Sequence, residues 1–247
     1  MVTRRDIMKA ITLGTVGAAI AESVPEVSGW TTIQDALPPA YAGTRKVKDL
    51  PYAPSKLKGL DEVMMTNHHA KNYTGTVGAV NALEKSLATL SKDTPPFVRA
   101  GLKRRQIIMM NSVILHEHYF DNLGGDGKSA GKVADLIKAN WGSVENWDLE
   151  FRATGAALAG GSGWVILTYS LVDGSLHNIA QDDHSVNYAL GRPLLAMDMY
   201  EHAYQRQFGP VLRTTDKGPG YVDVFMENVN WDVVNKRLEQ VASIKLG

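Results

Sequence analysis

The chain has 247 residues, 26 Lys+Arg against 26 Asp+Glu, no Cys and 44% hydrophobic residues. This suits one or two soluble globular domains and lacks the basic excess of a nucleic-acid footprint; the missing Cys excludes disulfides, Cys-type zinc sites, iron–sulfur clusters and thiol catalysis. Metal chemistry must therefore rest on carboxylates and on seven His, all between His68 and His202.

The N-terminus carries Arg4-Arg5, Lys9, an apolar run from Ala10 to Ile20 and the small-x-small triplet Ala19-Ile20-Ala21. That run is shorter than the ~20 residues of a membrane span, so no span is expected. Thr3-Arg4-Arg5-Asp6-Ile7-Met8-Lys9 resembles a twin-arginine export signal. The resemblance makes residues 1–21 a signal peptide, read by the export machinery of a bacterium and leaving the protein periplasmic or otherwise exported. Such export moves folded proteins, often with a cofactor in place. Cleavage removes three basic residues and one acid, leaving 23 basic and 25 acidic side chains and a slightly acidic mature chain.

Residues 22–49 are Pro-rich and aperiodic, which predicts an extended arm or linker. Asp61 is placed to cap a long helix reaching about Leu90, weakened at Gly75 and Gly78. Pro95-Pro96 opens a second helix over about Phe97–Asn122, and Leu123-Gly124-Gly125-Asp126-Gly127 ends it. Two long helices joined by a short turn form an antiparallel hairpin, residues 50–127. A second region, 128–247, follows, with helices over Gly131–Asn140 and Ser143–Thr154, the latter capped by Ser143. Strands are predicted at Trp164–Tyr169 and Ser175–Ala180 around an Asp173-Gly174 turn, and at Pro193–Met197. Helices near Tyr200–Phe208 and Asn230–Ile244 close the chain. The pattern is α+β: a helical hairpin, then a small three-stranded antiparallel sheet with flanking helices.

Four groups stand out by position. His68 and His116 lie on the two hairpin helices and can face each other across the seam. Asp198 ends the third strand, and His202 follows at i+4 on the same face. Three imidazoles and a carboxylate make an N/O site suited to iron, manganese, zinc or copper.

These residues sit in motifs that resemble the iron/manganese superoxide dismutase family over residues 50–245. Leu50-Pro51-Tyr52-Ala53 is similar to that family's opening, His68-His69-Ala70-Lys71 to its first-helix motif, and Asn111–Leu123 to its second-helix segment. Gly161-Ser162-Gly163-Trp164 matches its strand entry. Asp198-Met199-Tyr200-Glu201-His202-Ala203-Tyr204 is close to the signature D-x-W-E-H-A-Y, and Asn230-Trp231 begins the last helix. The resemblance implies an oxidoreductase that converts superoxide to oxygen and hydrogen peroxide, an antioxidant activity. One iron or manganese ion per subunit would be held by His68, His116, Asp198 and His202, in a family that includes iron, manganese and metal-flexible enzymes. It implies a homodimer or higher homo-oligomer in which Glu201 reaches the partner's His202 and orients it. Lys71 matches a position that guides the anionic substrate, and Trp164 a position beside the metal.

The chain departs from the family at several points. Asn72 stands where a His is usual and Thr76 where a Tyr is usual; with His68 they are spaced to share one helix face. Gln205 replaces another Tyr, while Phe120 and Tyr200 occupy places where tryptophans are common. Ser112 is too short for the outer-sphere Gln that iron-type members carry on the second helix. Asp183–Gly191 resembles the variant loop in which His replaces that Gln, so His184 is expected to donate to the metal-bound solvent. The departures at Asn72 and Thr76 leave open a metal-binding relative with low or altered redox activity.

The export reading has a direct test. Changing Arg4 and Arg5 together to Lys should hold unprocessed precursor in the cytoplasm, read by cell fractionation; normal processing would overturn the twin-arginine assignment.

Overall fold

The computed structural model describes residues 37–244 except 159, so the expected signal peptide, residues 1–21, and the Pro-rich stretch up to residue 36 lie outside the described residues. From Leu37 onward the chain forms one compact unit. After a single turn at Pro39–Tyr41 the chain has no helix or strand up to Leu50, and its backbone is tied to the first long helix. Asn81 accepts from Arg45 N at 3.0 Å and donates to Arg45 O at 2.9 Å, and Glu84 accepts from Gly43 N at 3.1 Å.

That helix comprises α1 (Glu62–Asn67), a π-helical turn (His68–Tyr73) and α2 (Thr74–Ala88). Asp61 caps it, accepting from Met64 N at 2.7 Å. The π turn changes the facing pattern. Buried positions run Met65, His68, Tyr73, Val77 and Val80, with a step of five across the turn. The expected shared face of His68, Asn72 and Thr76 is therefore corrected: Tyr73 turns inward, while Asn72 and Thr76 are half-buried.

Pro96 occupies the first turn of α3 (Pro96–Asp121), where its missing N–H costs nothing. α3 packs against α2 as the hairpin's second arm. The glycine cluster beyond it does more than stop a helix. Gly125 N donates to Asn228 O at 2.9 Å and Gly127 N to Val229 O at 3.1 Å. A Cβ on Gly125 would lie 2.3 Å from Val229 O, so only glycine permits this approach.

α4 (Gly131–Trp141) and α5 (Val144–Ala157) follow, α5 capped by Ser143, which accepts from Asn146 N. The sheet holds β1 (Trp164–Ser170), β2 (Leu176–Gln181) and β3 (Gly191–Asp198) in the order β2-β1-β3, all antiparallel. β1 lies in the middle and is almost wholly buried. Then come α6 (Glu201–Phe208), α7 (Tyr221–Met226) and α8 (Trp231–Ala242). The short helix α7 is absent from the sequence reading. Five of its six residues, Tyr221, Val222, Val224, Phe225 and Met226, are buried, so it shows no amphipathic period. Among the described residues no helix is long and apolar enough to cross a membrane.

Asn122, with no exposed surface, joins hairpin to sheet. It donates to Ala196 O on β3 at 3.0 Å, accepts from Arg237 of α8, and its carbonyl accepts from Asn230 N at 2.6 Å. Asn122→Ala should cost about 2–4 kcal/mol by orphaning buried partners. Denaturant unfolding of the metal-loaded protein checks this; an unchanged midpoint would contradict it.

Candidate metal centre

Four elements of the fold deliver four donor groups to one point. His68 comes from the π turn, His116 from α3, Asp198 from the end of β3 and His202 from the first turn of α6. One ligand atom from each lies within 4.8 Å of all the others. Asp198 Oδ2 is the common neighbour, 3.1 Å from His68 Nε2, 3.2 Å from His202 Nε2 and 3.6 Å from His116 Nε2. His68, His116 and Asp198 are buried; the His202 side chain keeps 28% of its surface exposed.

Local chemistry sets each orientation. Asp198 pairs across the sheet with Trp164, and its carbonyl accepts from Tyr221 Oη at 2.8 Å. Its Oδ1 accepts from Tyr200 N at 2.8 Å as the chain turns into α6, which leaves Oδ2 facing the imidazoles. His116 Nδ1 lies 2.7 Å from the carbonyl of Ser112, which can only accept, so Nδ1 carries the hydrogen and Nε2 presents its lone pair inward. Phe120 and Trp164 stand edge-on to His68 and His116, with ring centroids 5.0 and 5.2 Å away.

The cluster is unsatisfied as protein alone. His68 Nδ1, His68 Nε2 and His116 Nε2 are buried without a hydrogen bond of good geometry, an arrangement that folded proteins seldom tolerate. Burial lowers the His68 pKa and pushes that of His116 down to about 3, keeping both rings neutral. Burial opposes the Asp198 charge, but His202 and His68 beside it outweigh that and hold its carboxyl far below the usual range. Neutral imidazole lone pairs around an ionised carboxylate fit one iron or manganese ion.

The other expected site residues lie around this cluster or away from it. His184 is buried in the loop before β3. Trp164 Nε1 donates to its Nε2 at 2.9 Å, and its Nδ1 lies 2.9 Å from Tyr200 Oη. The expectation that His184 itself donates to the metal-bound solvent is thus corrected, because both ring nitrogens already have protein partners. The Thr76 hydroxyl donates to Asn72 O at 2.8 Å, within its own helix. Lys71 and Glu201 are exposed. His69 and His118 turn to the backbone carbonyls of Lys48 and Ile114, and His177 sits on β2, outside the cluster. Ser112, besides its carbonyl contact, holds its hydroxyl 3.3 Å from His116 Nδ1.

Two tyrosines near the site carry no role in the sequence reading. Tyr73 is nearly parallel to His116 at 6.4 Å, but its hydroxyl is spent on Glu117 Oε1 and Lys48 N. Tyr200 registers in the sequence only as a replaced aromatic. No sequence signal marks Tyr73, because its inward turn depends on the π segment.

Comparison with known proteins gives consistent matches. The family "Iron/manganese superoxide dismutases, C-terminal domain" matches residues 129–237. A "Superoxide dismutase [Fe]" of Cupriavidus metallidurans is 46% identical over 187 residues, covering 75% of this chain and 92% of that protein. A "Superoxide dismutase [Mn] 1" of Halobacterium salinarum is 35% identical over 198 residues, covering 78% and 94%. A "Superoxide dismutase [Fe]" of Pyrobaculum aerophilum is 34% identical over 197 residues, covering 77% and 90%.

His116→Ala and Asp198→Ala should each lower metal affinity by more than about 100-fold, since even supporting contacts are worth 10–100-fold. Elemental analysis alongside helical circular dichroism checks this; full metal content in the double variant would overturn the assignment.

Proposed function

Since the chain belongs to the iron/manganese superoxide dismutase family and converts superoxide to oxygen and hydrogen peroxide, we propose that it does so as an exported homo-oligomer with His184 in its second sphere. The observation that carries the reading of the site is the set of unpartnered imidazole nitrogens facing one buried carboxylate. When bound, iron or manganese would alternate between +3 and +2, oxidising one superoxide and reducing a second that leaves with two protons as hydrogen peroxide.

The protein's residues set the conditions for that exchange. His68, His116, Asp198 and His202 would hold the ion, and their net charge of −1 would offset part of its own. Trp164 and Phe120 wall two of the ligand rings, and the exposed side of the cluster is that of His202, the most exposed of the four. Lys71, exposed on the π turn, is suited to guiding an anion toward the centre by electrostatic attraction. Asn72 and Thr76 add polarity on the same helix, but the Thr76 hydroxyl is committed to Asn72 O and neither residue supplies an ionisable proton. Proton delivery therefore falls to solvent.

Export rests on the Arg4-Arg5 segment and its apolar run. Assembly rests on the exposed Glu201 beside the partly exposed His202, where a two-fold axis would make two equal bonds from one residue pair. The protein should be at least dimeric at micromolar concentration. Glu201→Ala should weaken assembly and metal retention together, measured by sedimentation and elemental analysis. A monomeric, fully active wild type would refute the shared contact.

A further inference from the structure

Trp164, His184 and Tyr200 form a hydrogen-bonded chain whose direction is set by chemistry. Indole Nε1 can only donate, so His184 Nε2, 2.9 Å away, must be the acceptor. A neutral imidazole with that nitrogen unprotonated carries its hydrogen on Nδ1, and the group 2.9 Å from Nδ1 is the Tyr200 hydroxyl. Tyr200 Oη therefore accepts from His184 and keeps its own hydrogen to donate, with the Ser162 side chain beside it. Tyr200 also lies nearly parallel to two rings, that of His184 at 4.8 Å and that of His202 at 5.5 Å, so it stands between the second-sphere histidine and a metal ligand. It lines the cleft shared by Gly161, Ser162, Glu201 and His202.

The backbone of the His184 loop is fixed independently of this chain. Asn111 of α3 donates to His184 O at 2.7 Å, and the Gln181 side chain donates to Val186 O. What remains for Trp164 and Tyr200 to determine is the ring itself, its orientation and its tautomer. We propose that Tyr200 is a positioning residue for the superoxide reaction: its hydroxyl accepts the His184 Nδ1 hydrogen and, with Trp164 at the other nitrogen, locks that ring, leaving the Tyr200 hydroxyl hydrogen as the donor at the chain's open end. The proposal rests on the reading that His184 belongs to the second sphere of the metal. It makes His184 and Tyr200 a matched pair. A tryptophan at 200 would present a second indole donor to a ring that has only one acceptor, and a phenylalanine would leave Nδ1–H without a partner. The chain positions rather than relays, because an indole N–H cannot replace a proton drawn through His184.

The test compares iron- or manganese-loaded protein carrying Tyr200→Phe, Tyr200→Trp, His184→Gln, or His184→Gln combined with Tyr200→Phe. Metal content, midpoint potential, azide affinity and superoxide turnover are measured for each. Tyr200→Phe and Tyr200→Trp should retain one metal per chain, shift the potential and lower turnover roughly fivefold, the size of one neutral hydrogen bond. With His184→Gln already in place, Tyr200→Phe should add less than about a twofold change, the non-additivity expected of coupled residues. Equal effects with and without His184, or no shift in potential from either Tyr200 variant while His184→Gln does shift it, would overturn the pairing alone. Wild-type potential and turnover in His184→Gln would overturn the second-sphere reading and the proposal with it. Loss of metal from both Tyr200 variants would make Tyr200 a structural residue and also overturn it.

Discussion

A carboxylate with no exposed surface, Asp198, faces three imidazole nitrogens in the interior, and the surrounding structure is arranged around that one charge. A buried anion without a compensating cation is strongly unfavourable, and stripping a buried charge of its partner typically costs about 3–5 kcal/mol. The protein itself supplies only neutral or partly exposed histidines there. A bound metal ion would supply that positive charge, which couples ion binding to the stability of the folded state.

The position of the site makes that coupling reach across the fold. The hairpin contributes His68 and His116, the sheet contributes Asp198, and α6 contributes His202. Asp198 is itself pinned by pairing with Trp164, by Tyr221 on its carbonyl and by Tyr200 N on Oδ1. The four residues that would hold the ion therefore come from parts of the fold that otherwise meet through apolar packing and a few buried polar links such as Asn122. A rigid frame of this kind suits a reaction in which the protein's task is to hold ligand geometry constant while an electron comes and goes.

Local chemistry was readable in the sequence wherever it acted locally. Asp61 and Ser143 cap their helices through contacts three residues away, Pro96 starts one, and the i,i+4 spacing of Asp198 and His202 survives intact. The four metal-site residues were legible for the same reason, combined with motifs in fixed order. Features set by tertiary context were not. The π turn has ordinary helical dihedrals at its flanks and no residue that announces it, so Tyr73 rather than Asn72 turning inward could not be foreseen. The residue type of His184 was evident, but its partners lie 20 residues before it and 16 after it and meet it only once the sheet and α6 are assembled.

Stoichiometric reconstitution tests the central claim most directly. Metal-free protein titrated with iron or manganese should bind one ion per chain, and superoxide turnover should rise linearly and saturate at that same equivalence point. Turnover in the metal-free protein, or saturation without binding at one ion per chain, would contradict a mononuclear centre built on Asp198.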